Sequence, residues 1–258
     1  MLAVEMRLLS LVLVVVVAGC THFPRARAPM LAVHSPLLGA RAETVVFFLP
    51  GRKDRARIFE DKGMFSIVRE KQFPADLIAA DAHAGYYARG TFERRFESDV
   101  VEPARKHGYA HTIIVGVSLG GYGAVRYAMR HPGRVETLVL LSPFLGAGSS
   151  MEELADADDP DFARTWEWLR RYSGEPRKRV AAGYPRIVLG YADEDLLLRS
   201  DDELKKLLPP ADVVTIPIGA HEWNAWRKLL GVVLDKHLMD PMTKPETKVD
   251  SKVDTLVR

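Results

Sequence analysis

The chain has a single cysteine, Cys20, among its 258 residues. No disulfide can form within it, so its stability must come from packing rather than from covalent staples. It also lacks an excess of either charge. Lys and Arg number 36, Asp and Glu 34, and the formal net charge is +2. That balance argues against a nucleic-acid binder and against a protein built around acidic ligands. The basic cluster Arg52-Lys53-Asp54-Arg55-Ala56-Arg57 reads as a solvated face. Long hydrophobic runs are absent as well. The most apolar stretch, Leu8-Leu9-Ser10-Leu11-Val12-Leu13-Val14-Val15-Val16-Val17-Ala18-Gly19, falls short of the roughly 20 residues that span a bilayer. It fits the core of a secretory signal instead. There is no internal repeat and no internal linker.

What is present is an alternation of apolar runs and helix-period segments. Thr44-Val45-Val46-Phe47-Phe48-Leu49 is continuous and apolar, as a strand covered on both faces should be, and Pro50-Gly51 ends it. Further strands are expected at 75–81, 111–115, 135–141, 186–191 and 212–216. Helices are expected at 58–71, 92–107, after residue 118, at 201–208 and at 222–238. A polar loop with Tyr86, Tyr87 and Arg89 joins the second strand to its helix. The rhythm predicts an α/β fold, a mostly parallel central sheet with helices on both faces. It breaks at about 146–183, where a capping box, Ser149-x-x-Glu152, and the helical spacing of Phe162, Trp166 and Leu169 predict a short helical insert. Residues 1–19 are expected to be a signal peptide. Residues 20–43, with Pro24, Pro29 and Pro36, form a tether with an irregular first strand, and 44–238 form the domain. The polar stretch 239–258 is expected to be an unstructured tail.

One motif carries chemistry. Gly116-Val117-Ser118-Leu119-Gly120 follows an apolar strand and opens a helix pattern. That is the context a nucleophile elbow requires: the turn is so tight that its flanks must be nearly free of side chains. A serine hydroxyl is a weak nucleophile and needs a base, usually held by a carboxylate. In this type of sheet both partners follow the serine in the chain and emerge at the carboxyl ends of strands. Of eight histidines, only His221 and His237 lie beyond the last acid-bearing strand. His221 follows the final strand directly, whereas His237 sits late in the last helix, where its charge suits the helix dipole. His221 is therefore the expected base. The acid should follow strand 186–191, where Asp193, Glu194 and Asp195 stand together. Asp193 is favoured and Asp195 is the alternative. Two backbone N–H groups should bind the oxyanion: Leu119, next to the nucleophile, and Arg52 on the loop after the first apolar strand, with Gly51 the alternative. Pro50 has no N–H to offer. Tyr86, Tyr87, Trp166 and Trp168 are candidates for lining a cleft, although aromatics at such spacing usually serve packing.

With these residues in view, the chain resembles the α/β-hydrolase superfamily. Within it, the chain resembles the esterase D branch of S-formylglutathione hydrolases and related carboxylesterases. The similarity lies in Gly116-Val117-Ser118-Leu119-Gly120-Gly121-Tyr122-Gly123-Ala124, continuing to Arg130-His131-Pro132, and in His221-Glu222-Trp223-Asn224-Ala225-Trp226, which is similar to a His-x-Trp-x-x-Trp signature. Gly190-Tyr191-Ala192-Asp193 falls where that branch carries Gly-x-x-Asp. The resemblance implies Ser118 as nucleophile, Asp193 as orienting acid and His221 as base. It implies no metal and no organic cofactor. The chain departs from the branch in having few residues before Thr44 and a short Pro-Gly-Arg turn in place of a longer glycine-rich loop.

Val17-Ala18-Gly19-Cys20 resembles the lipobox of bacterial lipoproteins, with Val17 where leucine is usual. The resemblance implies a lipid on Cys20 and an extracytoplasmic protein anchored to a membrane. Thr21, which is not aspartate, leans towards the outer membrane if the envelope is Gram-negative. The expected activity is hydrolysis of a small-molecule carboxylic ester through an acyl-enzyme. Acyl transfer by the same triad, or a non-catalytic binding lipoprotein of the same fold, are the alternatives.

Overall fold

The computed structural model describes residues 24–146 and 160–239. The expected signal peptide, Cys20 and the stretch 240–258 lie outside the described residues, as does part of the insert. Seven strands form one sheet in the order β1-β3-β2-β4-β5-β6-β7. They are β1 (Ala32–Ser35), β2 (Thr44–Leu49), β3 (Ala75–Ala80), β4 (His111–Val117), β5 (Thr137–Leu141), β6 (Arg186–Ala192) and β7 (Val213–Ile216). Only β1 runs antiparallel, against β3, and every other pair is parallel.

The apolar runs make this sheet because both of its faces are buried. Alternate side chains of β2 enter opposite cores: Val45, Phe47 and Leu49 one, Val46 and Phe48 the other. β5 does the same with Leu138 and Leu140 against Val139 and Leu141. A strand whose two faces both meet helices has no solvent side, so the period-2 polar signal disappears.

Helices α1 (Ile58–Asp61), α2 (Met64–Glu70) and α10 (Trp223–Val233) supply Phe59, Met64, Phe65, Trp226, Leu229 and Leu230 to one core. The other core is covered by α4 (Phe92–Phe96), α5 (Glu102–Arg105), α6 (Leu119–Arg130) and α7 (Pro160–Arg170), with Phe96, Val100, Val125, Tyr127, Trp166 and Leu169. The described residues also form α3 (Ala84–Ala88), α8 (Pro176–Ala181) and α9 (Leu198–Lys205).

Several elements differ from expectation for local reasons. The helix expected over 58–71 is broken between α1 and α2, where Gly63 adopts φ 71°. The helix over 92–107 passes through a π-helical turn, Glu97–Val101, just before Pro103. A proline cannot donate to the preceding turn, and a widened turn accommodates that loss. α3 lies where a loop was expected. It is started by His83, whose Nδ1 accepts the Gly85 N–H at 3.1 Å.

The stretch before Thr44 is more than a tether. β1 pairs with β3, Met30 is buried and donates its N–H to Asp99 at 2.7 Å, and the Tyr86 hydroxyl donates to the Arg27 carbonyl at 2.8 Å.

The chain leaves β2 for β3 on one side and returns to β4 on the other. The carboxyl ends of β2 and β4 therefore border the crevice that such a reversal creates, the usual place for a ligand in an open parallel sheet.

Candidate active site

Ser118 joins β4 to α6 with φ 52° and ψ −117°. A non-glycine residue held in this sparsely populated region costs on the order of 1–3 kcal/mol and persists only where the surroundings fix it. The surroundings here are tight. A Cβ on Gly116 would lie 2.4 Å from the Gly120 carbonyl oxygen, and one on Gly120 would lie 2.1 Å from that of Leu49. Strand exit, helix entry and the end of β2 thus meet without room for a methyl group. The exit of β5 clamps the same turn: Ser118 N–H donates to the Leu141 carbonyl at 3.0 Å, and Phe144 N–H donates to the Ser118 carbonyl at 3.0 Å.

His221 reaches this serine from the loop between β7 and α10, a separation of 103 residues. Its Nε2 lies 2.9 Å from Ser118 Oγ. Its Nδ1 lies 2.9 Å from Asp195 Oδ1 and 3.1 Å from Oδ2. The acid on His221 is therefore Asp195, which corrects the expectation of Asp193. β6 ends at Ala192, and Asp193 N–H still pairs with the Ile216 carbonyl, leaving the Asp193 side chain exposed at the strand end. The chain then turns, with Asp195 N–H donating to the Ala192 carbonyl, and this carries the Asp195 carboxylate inward. Its side chain is fully buried, whereas that of His221 is 15% exposed.

Burial opposes ionisation of Asp195. Hydrogen bonds from His221, from the Ser142 hydroxyl and from Leu197 N–H outweigh it and hold the carboxyl below the usual carboxylate range. The Leu197 bond is 2.8 Å long. Ser142 and Trp226 are the site residues that sequence reasoning missed. Trp226 stands in the His-x-Trp-x-x-Trp run, but nothing in its spacing pointed at Ser142.

The loop after β2 lies beside Ser118. A Cβ on Gly51 would stand 3.8 Å from Ser118 Cβ and 2.9 Å from Asp54 Oδ2. Gly51 is buried and Arg52 exposed, in a turn closed by Asp54 N–H donating to the Gly51 carbonyl at 3.1 Å. Burial pushes the Asp54 carboxyl up, against the opposing charges of Lys62 and Lys53. Leu119 opens α6, so its N–H has no carbonyl one turn back within the helix to bond.

Of the aromatics proposed for a cleft, Tyr86 and Trp166 are core residues, Tyr87 stacks on Phe92, and Trp168 stacks on Tyr184. Phe144, whose N–H bonds the Ser118 carbonyl, stands edge-on to Phe162, which stacks on Tyr122 at 4.4 Å. Among the described residues, no group of three His, Cys, Asp or Glu side chains is placed to hold a metal.

A mostly parallel sheet with helices on both faces, a strained serine after its central strand and a histidine after its last strand define the α/β-hydrolase fold, and this chain has it. The family model described as alpha/beta hydrolase fold matches residues 88–185. No curated protein sequence matches the chain. Solved structures are similar over most of its length. Est1E from Butyrivibrio proteoclasticus is 16% identical with a TM-score of 0.58, covering 83% of this chain and 95% of that one. A ferulic acid esterase is 17% identical with a TM-score of 0.57, covering 80% and 96%. An S-formylglutathione hydrolase from Agrobacterium tumefaciens is 13% identical with a TM-score of 0.56, covering 83% and 91%.

Proposed function

We propose that the protein is a serine hydrolase that cleaves a small-molecule carboxylic ester through an acyl-enzyme. The observation that carries this reading is the unbroken chain Ser118 Oγ, His221 Nε2, His221 Nδ1, Asp195, with both contacts to the imidazole at 2.9 Å. With Nδ1–H donated to Asp195, Nε2 is left as an acceptor facing the serine proton, the tautomer that general-base catalysis needs. Ser118 Oγ attacks the acyl carbon as His221 takes its proton. The Leu119 N–H, at the positive end of the α6 dipole, and an N–H of Gly51 or Arg52 hold the oxyanion; each such donor is worth roughly 10²- to 10³-fold in kcat. His221 then protonates the leaving alcohol. Water then attacks the acyl carbon as His221 takes its proton, the bond to Ser118 Oγ breaks with the proton returned to Oγ, and the acid leaves. The fold's solved relatives named as esterases and as an S-formylglutathione hydrolase are consistent with this chemistry.

The location is part of the same proposal: a lipid on Cys20 tethers the domain to a membrane outside the cytoplasm. The run Val17-Ala18-Gly19-Cys20 supports it. No described helix is long and apolar enough to cross a membrane.

A fluorophosphonate probe tests the nucleophile. The protein should be labelled covalently, and Ser118→Ala should abolish the labelling. Labelling that survives this substitution overturns the assignment. Mass spectrometry of the mature N-terminus tests the anchor, which an unmodified Cys20 would refute.

A further inference from the structure

We infer that Ser142 and Trp226 are positioning residues of the hydrolase site, with the Trp226 indole fixing the Ser142 hydroxyl and that hydroxyl holding Asp195 against His221. The inference rests on the serine-hydrolase reading and extends it to two residues outside the triad.

Ser142 follows β5 at φ 45° and is fully buried. A glycine would take this left-handed backbone without strain, whereas a serine there costs on the order of 1 kcal/mol. The side chain offsets that cost through two hydrogen bonds. Trp226 Nε1–H donates to Ser142 Oγ at 3.1 Å. An indole nitrogen is only ever a donor, so Ser142 Oγ must be the acceptor and its own hydrogen is free to point elsewhere. That leaves it for Asp195, whose carboxyl the Ser142 hydroxyl helps to hold below the usual carboxylate range. The backbone is fixed too, since Ser142 N–H donates to the Gly190 carbonyl of β6 at 2.9 Å. The hydroxyl thus stands at a set height between β5 and the turn that carries the acid.

Trp226 also touches the base. Its ring meets that of His221 edge to face, with centroids 4.8 Å apart and planes at 90°. Trp223 packs on Trp226 at 5.1 Å, also perpendicular, and Phe59 on Trp223 at 5.5 Å. One buried indole therefore limits the tilt of His221 with its face or edge and aims Ser142 with its nitrogen. A further carboxyl close to Asp195 is that of Asp201 on α9, which has Asp202 as its other acidic neighbour. Asp201 is buried, and burial first, then its two carboxylate neighbours, push its carboxyl well up, favouring the neutral acid. Its carboxyl oxygens have no hydrogen-bond partner among the described residues and so supply Asp195 with no support.

Three variants test the inference: Ser142→Ala, Trp226→Phe and the double variant. Each single change should lower kcat about tenfold, the worth of one hydrogen bond to a charged group, with KM within about twofold. Because the two residues act in series, the double variant should be no slower than the slower single one. The proton NMR resonance of the His221–Asp195 hydrogen bond should move in the same direction in both single variants. Should Ser142→Ala fail to fold, Ser142→Gly removes the same hydroxyl at a φ glycine prefers. Unchanged kcat and an unmoved resonance overturn the inference, as do losses that multiply in the double variant. If the wild-type protein turns over no ester yet the resonance moves in both variants, the positioning network stands and the hydrolase reading is the one that fails.

Discussion

His221 and Asp195 share a two-oxygen contact, 2.9 and 3.1 Å from one imidazole nitrogen, at the bottom of a site where the carboxylate has no exposure to solvent. A buried carboxylate so placed keeps the imidazole in one tautomer and stabilises the imidazolium that forms when the serine is deprotonated. Asp195→Asn should therefore lower kcat about 10³- to 10⁴-fold with the fold intact, because an amide can present its N–H to Nδ1 and reverse the tautomer. Asp193→Asn, an exposed change, should leave kcat within about twofold. Steady-state ester hydrolysis of the two variants checks both values. A crippled Asp193→Asn beside an active Asp195→Asn would show that the hydrogen bond to Asp195 is not the one catalysis uses.

The elbow glycines should be intolerant in a way that does not depend on activity. Gly120→Ala places a methyl group 2.1 Å from the Leu49 carbonyl oxygen, a backbone atom that cannot step aside. It should cost about 3 kcal/mol or more in a denaturant titration. Gly133→Ala, at φ 71° with nothing within 4 Å of the new methyl, should cost only about 1 kcal/mol.

Arg126 ties the helix that follows Ser118 to the insert. It lies on α6, pairs with Glu93 of α4 at 2.5 Å and with Asp161 of α7 at 2.7 Å, and is largely shielded from solvent. Among the described residues, Arg126→Ala leaves the buried Glu93 with only Arg130, at 3.7 Å and half exposed. Loss of about 3 kcal/mol is expected, because an uncompensated buried charge remains. Thermal unfolding measures the loss, and limited proteolysis should show earlier cutting at α7. If neither changes, the ion pair does not hold the insert in place.

Acid should weaken the fold through His83. Burial first, then the charge of Arg55, lower its imidazole pKa, while Asp81 opposes them. Its Nδ1 must stay unprotonated to accept the Gly85 N–H that starts α3. A folded value below the ordinary one means that the unfolded chain takes up the proton first as pH falls. The stabilising contribution is complete above about pH 6.5 and is lost as pH drops from there through the folded value, by at most about 1.4 kcal/mol per pH unit. His83→Asn retains a capping acceptor without the titration. Its melting temperature should fall less than that of the parent protein between about pH 8 and pH 5. Equal slopes would remove His83 as the cause.

Much of this molecule is written locally. A continuous apolar run such as Thr44–Leu49 can be stable only between two helical layers, and Gly116, Ser118 and Gly120 can sit together only where the backbone leaves no room for side chains. The choice of His221 as the proposed base also followed from chain order, since in this fold that residue comes after the last strand. Asp193 and Asp195 are a different matter. They are the same residue type two positions apart, and both follow β6. Only the tertiary structure selects between them: the pairing of Asp193 with Ile216 holds one at the strand end in water, and the turn back to Ala192 carries the other under His221. Ser142 was equally out of reach, because it meets Asp195 and Trp226 across 53 and 84 residues of chain. The sequence by itself determined the sheet, the elbow and the places of Ser118 and His221, because backbone sterics and chain order decide them. The acid and the residues that hold it were decided by where loops from β5, β6 and β7 meet in space, a long-range distance that no local pattern encodes.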